Sequence, residues 1–337
     1  MSRPTQLDLI PRILSAINRA HLDSFESILT LSNADISRIT GLSLSEVQTL
    51  KTKVAENVVG VTSMTALDLH QGKGGDLMQI CKLSTGCAQI DEALRGGILS
   101  RGITEITGES ASGKTQLCLQ LALTVQLPQA NGGLQGGVAY ICTEDAFPSK
   151  RLQQMTQGFM KVHRQTMGSD YRPGDKIFIE HVADYDMLLT CVNLRLPLLF
   201  ASTCVRLIIV DSVTAVFRGE YAGHEIYKRS KHLSSIVSQL LALGSQHNIP
   251  VVCINQVSSS MNKTGRQLIP ALGLAWSNMI MTRIMLSRTN QAIALHDSGV
   301  DGRIEATIRQ LEVIFAPHLT NVTVPYIIDR DGIKGIT

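Results

Sequence analysis

Gly108, Glu109, Ser110, Ala111, Ser112, Gly113, Lys114 and Thr115 follow one another in the order G-x-x-x-x-G-K-T. That spacing suits the phosphates of a nucleoside triphosphate. The glycines let the main chain curl until several N–H groups converge on one point. A lysine ammonium then reaches the β- and γ-phosphates, and the threonine hydroxyl meets Mg²⁺. Residues 102–107 before the loop read as a short buried strand. Residues 116–126 after it have helical periodicity, which would seat the phosphates at a helix N-terminus. A glycine-rich turn matching by chance would lack that strand–loop–helix setting.

Further candidates sit at the ends of apolar runs. Leu207 to Val210 lead into Asp211, a carboxylate placed to hold Mg²⁺ through water, although strands also end in Asp for turn chemistry. Ile141 to Thr143 lead into Glu144 and Asp145. Glu144 could polarise an attacking water, or the acidic pair could cap a helix. Cys253 to Asn255 lead into Gln256, whose amide could sense a γ-phosphate and shift the loop behind it, or serve as a turn residue.

Elements must hold these groups. The length of 337 residues suits two domains with ample cores. With 44 % hydrophobic and 18 % charged residues the profile is that of a soluble globular protein, not a disordered one. No apolar run is long enough to span a bilayer, so no membrane partner is expected. The N-terminus lacks a secretory layout. Seven cysteines without a C-x-x-C pair read as reduced thiols of a nuclear or cytoplasmic protein, not a zinc site or disulfide framework. A net charge of +3 leaves nucleic-acid contact to local basic loops.

Residues 1–60 carry no β signal. Apolar residues three and four apart predict helices, with Asn33 and Ser43 at N-cap positions and Gly41 as a breaker. Ser43 and Glu46 have capping-box spacing within a helix-hairpin-helix pattern. Balanced charge leaves this domain open to partner docking, a structural role or DNA contact. Residues 61–79 read as a linker with an interface strand. Residues 80–337 alternate strands and helices, several strands being solid β-branched runs. That predicts an α/β core with a mainly parallel sheet. Residues 290–302, polar and glycine-containing, read as a loop.

The phosphate loop, strand-end Glu144, Asp211 and strand-end Gln256, in this order, resemble the RecA-type recombinase ATPases over nearly the whole chain. The helical N-terminal domain resembles that of the eukaryotic and archaeal members. In detail, residues 138–148, 177–184 and 316–319 resemble a recombination paralogue. The resemblance implies a RecA-like core using ATP and Mg²⁺ in homologous recombination, repairing double-strand breaks and crosslinks in the nucleus. It also implies a heterodimer with a sister paralogue, the main recombinase as a further partner, and single-stranded or branched DNA as a ligand.

By the same resemblance Arg151 would stack on adenine, with a solvated helix residue as the alternative. Two DNA-facing loops would span 217–231 and 258–273. They carry Arg218, Tyr221, Arg229 and Lys231 in the first, and Lys263 and Arg266 in the second. Cations interleaved with rings suit a single strand, whereas a charge run alone is usually a solvated face.

The chain also departs from the family. Where recombinases insert a phenylalanine in an F-x-x-A pattern, this chain reads Ser63, Met64, Thr65 and Ala66. Phe315, before Ala316 and Pro317, replaces an acid that would cap the neighbour's ATP. Asn278 aligns with a histidine that reads the neighbour's γ-phosphate, and His224 with an arginine of the first DNA loop. Met64, Ala66 and Pro317 are therefore candidate interface residues for a non-identical neighbour. Two readings remain: an ATP-regulated assembly module, or a DNA-stimulated ATPase that forms its own strand-exchange filaments. A small-molecule kinase would leave the helical domain unexplained.

Overall fold

The computed structural model describes residues 9–22, 24–59, 65–71, 80–218, 221, 225–262, 265–296 and 303–336. They fall into two compact units, Met1–Gln79 and Ile80–Thr337.

In the first unit α1 (Pro11–Arg19), α2 (Phe25–Thr30), α3 (Asn33–Thr40) and α4 (Leu44–Val59) bury one stripe each, including Ile13, Ile17, Ile28, Ile36, Val47 and Leu50. Ser32, not Asn33, caps α3: its hydroxyl accepts from the Asp35 amide at 3.1 Å, while Asn33 is already helical and donates to Gln48. Gly41 ends α3 at φ +68°, a left-handed conformation that glycine adopts without penalty. Ser43 and Glu46 form the expected reciprocal cap. The Glu46 amide donates to Ser43 Oγ at 3.3 Å, and the Ser43 amide to Glu46 Oε2 at 2.8 Å. Residues 66–70 form a short helix, α5 (Ala66–His70), where a linker strand was expected. Thr65 and Asp68 exchange cap hydrogen bonds, which stabilises a helical turn over an extended chain. Met64 lies outside the described residues.

The second unit opens with β1 (Lys82–Leu83), α6 (Ala88–Ala93) and β2 (Ile98–Leu99). Strand and helix then alternate: β3 (Ile103–Gly108), α7 (Lys114–Thr124), β4 (Gly137–Cys142), α8 (Ser149–Met167), β5 (Ile177–His181), α9 (Tyr185–Thr190), α10 (Leu196–Ser202) and β6 (Val205–Asp211). After β6 come α11 (Val213–Arg218), α12 (Ile226–His247), β7 (Val251–Asn262), β8 (Gly265–Pro270) and α13 (Gly273–Ser277). The unit closes with β9 (Thr282–His296), β10 (Arg303–Phe315), β11 (Thr323–Ile328) and β12 (Ile333–Gly335).

The main sheet runs β12-β11-β10-β9-β3-β7-β6-β4-β5. The stretch from β9 through β3 to β5 is parallel, and β10 to β12 add antiparallel strands at one edge. Alternate residues of the central strands enter opposite cores. In β6, Leu207 and Ile209 pack with α7, whereas Ile208 and Val210 pack with α12. In β4, Tyr140 and Cys142 share the α7 face. This period of two, with helices on both faces, explains the continuous apolar runs.

Two expected loops, 258–273 and 290–302, contain strands, and residues 263–264 and 297–302 of them lie outside the described residues. β7 runs on to Asn262 and pairs antiparallel with β8, Val257 opposite Pro270 and Met261 opposite Arg266. β9 and β10 extend into a ribbon, Ala292 opposite Thr307 and His296 opposite Arg303, so residues 290–296 are strand. In each case a cross-strand ladder pairs backbone groups that polar side chains alone would leave to water.

Candidate nucleotide site

Strand register brings the strand-end groups to one rim. Gly108 is level with Gln256 across the β3–β7 pair, and Cys142 with Asp211 across β4–β6. Crevices at the carboxyl ends of parallel strands are where ligands bind in open α/β sheets. Here the crevice is a cavity of about 820 Å³. The loop residues Gly108, Glu109, Ser110, Ala111, Gly113, Lys114 and Thr115 line it, with Glu144, Arg151, Asp211, Arg218, Gln256 and Arg309. That size suits a nucleotide rather than an ion alone. Ser112 is not in the lining. It is fully buried beneath the loop, and its hydroxyl lacks a hydrogen-bond partner.

The loop is held in its curl from outside. Ala111 and Gly113 both have positive φ, +60° and +109°. A Cβ on Gly113 would meet Ile328 Cδ1 at 2.7 Å. Tyr326 donates its hydroxyl to the Ser112 carbonyl at 2.6 Å, and Arg309 Nε donates to the Ala111 carbonyl at 3.3 Å. The antiparallel edge strands thus brace the loop, a role that spacing alone did not reveal for Arg309 or Tyr326.

Lys114 Nζ donates to the carbonyls of Gly108 and Glu109, each at 2.8 Å. Burial pulls its pKa below the usual lysine value, with Asp211 and Glu144 opposing. An ammonium held only by neutral oxygens in a half-buried site is suited to receive an anion. Thr115 Oγ1 donates to Asp211 Oδ2 at 3.0 Å, and Tyr140 donates to the same oxygen at 2.7 Å. Burial pushes the Asp211 carboxyl up, Asp145 adds to that, and Tyr140, Thr115 and Lys114 work against it. Thr115 keeps its oxygen lone pairs, so the hydroxyl–carboxylate pair fits a hydrated Mg²⁺ beside phosphate. Glu109, Glu144, Asp145 and Asp211 balance Lys114, Arg151, Arg218 and Arg309 around the cavity. A polyphosphate would therefore bring excess negative charge, which a divalent cation offsets. Among the described residues there is no cage of three or more His, Cys, Asp or Glu.

Glu144 stands exposed at the end of β4, where Gln256 Nε2 donates to its Oε1 at 2.5 Å. Arg151 is pinned at its edges: Nε to Gln116, Nη1 to Gln154 and the Arg330 carbonyl, and Nη2 to the Asp329 carbonyl. Edge-on pinning leaves the guanidinium face for stacking. Cys142, beside Asp211, has its thiol pushed up to about 12 by burial and then by Asp211, which makes it a poor nucleophile.

The residues expected on DNA loops separate. Arg218 faces the cavity, where its Nη1 donates to Gln256 Oε1 at 2.5 Å. Tyr221 is half-buried against the α12 core; its ring lies 6.0 Å from Phe217 and its hydroxyl bonds His232 Nδ1 at 2.7 Å. Arg229 and Lys231 stand on the first turns of α12, so helix rather than loop presents them. Arg266 lies on β8, and Lys263 and His224 lie outside the described residues. Pro317 is exposed in the turn after β10.

Residues 76–336 match the protein family described as Rad51. The chain belongs to the Rad51 family. Residues 5–58 match the XRCC3/RpoA-like helix-hairpin-helix domain. Relatives named DNA repair protein XRCC3 are 40 % identical to this chain in Mus musculus and in Bos taurus, covering 98 % of this chain and 97 % of each relative. A DNA repair protein XRCC3 homolog of Arabidopsis thaliana is 33 % identical over 76 % of this chain and 93 % of its own. The family membership accords with the RecA-like core and the helix-hairpin-helix unit described above. No described helix is long and apolar enough to cross a membrane.

The site also rests on a buried network that the sequence did not disclose. Glu105, fully buried on β3, pairs with Arg283 and accepts from Trp276 Nε1 at 2.7 Å and Asn255 Nδ2 at 2.5 Å. Thr214 on α11 donates to Asn255 Oδ1 at 2.5 Å and accepts from the Gln256 amide at 3.0 Å. Arg283 also lies 5.1 Å over the ring of Phe315. Thus the phenylalanine that stands where an acid was expected faces a cation already paired within the chain.

Proposed function

We propose that this chain is a nuclear recombination paralogue acting in homologous repair of double-strand breaks and crosslinks, as an ATP-regulated subunit of a heteromeric DNA-binding complex. The observation that carries the reading is the shared rim, on which Lys114, Thr115, Glu144, Asp211 and Gln256 arrive from four strand ends. The loop amides and Lys114 hold the phosphates, Thr115 and Asp211 orient a hydrated cation, and Arg151 stacks on the base. Glu144 orients water, and Gln256 reports on the terminal phosphate. Magnesium, when bound, would draw charge from the β- and γ-phosphate oxygens. The relatives' printed name, DNA repair protein XRCC3, supports the repair role.

A sister paralogue is the partner this reading favours, with Met64, Ala66 and Pro317 toward it and the main recombinase as a further contact. Lys263 and Arg266 of segment 258–273, with Arg229 and Lys231 on α12, are the groups proposed to meet single-stranded or branched DNA. The direct contact between Glu144 and Gln256 favours an added activity, slow hydrolysis of ATP to ADP and phosphate. Calorimetry of the full chain with ATP and Mg²⁺, alone and co-purified with candidate sister paralogues, tests the reading. Saturable heat and nucleotide-dependent co-purification are expected; no heat in either setting overturns it.

A further inference from the structure

Arg218 has a position that a DNA-contacting arginine would not need. It ends α11, and the Phe217 side chain beside it is 1 % exposed, so its backbone is anchored in the core. α11 is tied to β7 by Thr214, which bonds both the Asn255 side chain and the Gln256 amide. Arg218 and Gln256 therefore share one rigid support. From it the guanidinium turns into the cavity that also holds Lys114 and Asp211, and donates to Gln256 Oε1. Gln256 in turn donates to Glu144.

The donor inventory decides what this side of the cavity can hold. A terminal phosphate offers only acceptors. The Gln256 amide oxygen cannot donate, and one of its N–H groups already serves Glu144. Arg218 carries a full charge and five N–H donors in a planar fork, one of them engaged by Gln256. Lys114, held by the loop carbonyls, would reach the β- and γ-phosphates from the loop side. Arg218 reaches the opposite end, beside Glu144 and Gln256.

Building on the nucleotide reading above, we infer that Arg218 is the group by which this chain distinguishes ATP from ADP, a cation supplied in cis to the terminal phosphate. Its guanidinium, which already holds Gln256, meets the γ-phosphate, so Arg218 and Gln256 respond to the third phosphate together.

The test compares calorimetric binding of ADP and of the non-hydrolysable β,γ-imido analogue of ATP, both with Mg²⁺, to the full-length wild-type, Arg218→Ala and Arg218→Lys chains. The wild type is expected to prefer the triphosphate. Arg218→Ala should lower triphosphate affinity about tenfold, the effect of one charge-assisted hydrogen bond, and change ADP affinity less than twofold. Arg218→Lys should recover part of the preference, since it keeps the charge without the fork. An unchanged triphosphate-to-diphosphate ratio in Arg218→Ala overturns the inference while leaving the nucleotide site standing, as does an equal loss for both ligands. A wild-type chain that binds neither ligand overturns the nucleotide reading itself.

Discussion

Lys114 shows how much a single side chain decides. Its ammonium is partly desolvated and held by two carbonyls, an arrangement that a polyphosphate improves and an alanine cannot replace. Lys114→Ala should abolish measurable ATP binding in calorimetry while far-UV circular dichroism stays that of the wild type. Retained ATP binding would remove Lys114 from the site. Asp211 makes the complementary case. Tyr140 and Thr115 converge on one of its oxygens, so two donors fix the carboxylate's orientation. The loop residues, Glu144, Asp211 and Gln256 were legible from sequence because each follows an apolar run at a fixed distance. Arg309 and Tyr140 were not, because their partners, the Ala111 carbonyl and Asp211, lie far away in the sequence.

At the scale of elements, caps and buried pairs carry the predictions. The Ser43–Glu46 cap opens α4, and hydrogen bonds from the Ser43 backbone and side chain hold the Glu46 carboxyl below its usual range, helped by Arg12. A carboxyl lowered in the folded state contributes stability above its unfolded pKa, and that contribution fades as pH falls through the lower folded value. Amide exchange in the first turn of α4 should therefore accelerate on acidification below the ordinary glutamate range, and Glu46→Gln should flatten that dependence. Ser43→Ala should cost about 1 kcal/mol of helical-unit stability in urea unfolding. The Glu105–Arg283 pair behaves differently, because both groups are buried. Glu105→Ala strands the Arg283 charge and should destabilise the core unit by roughly 3–5 kcal/mol. A loss below about 1 kcal/mol would mean that the Phe315 ring and the Ser277 hydroxyl suffice for the guanidinium. The hairpin of β7 and β8 escaped the sequence reading because its serine-rich strand has no apolar face to announce it.

For the molecule as a whole, assembly is the open property. Interface binding energy concentrates in a few buried anchors, often aromatic. Where the family inserts a phenylalanine this chain has Ser63, and Phe315 is already engaged with Arg283. The chain alone with ATP and single-stranded DNA should therefore show no long filaments in negative-stain electron microscopy. Regular filaments hundreds of ångströms long would instead make it a strand-exchange ATPase in its own right.

What the sequence determined by itself was local: the strand, loop and helix around Gly108 to Thr115, the Ser43 cap, and apolar runs ending in Glu144, Asp211 and Gln256. Each is written in neighbouring residues, because turns, caps and periodicities act over a few positions. What only tertiary structure decided was the company these groups keep. Sheet order and strand register set Gly108 beside Gln256, brought Arg218 to the cavity beside Gln256, and paired Glu105 with Arg283. Such contacts join residues far apart in the chain, and they arise only once the pleat fixes which side chain faces which core.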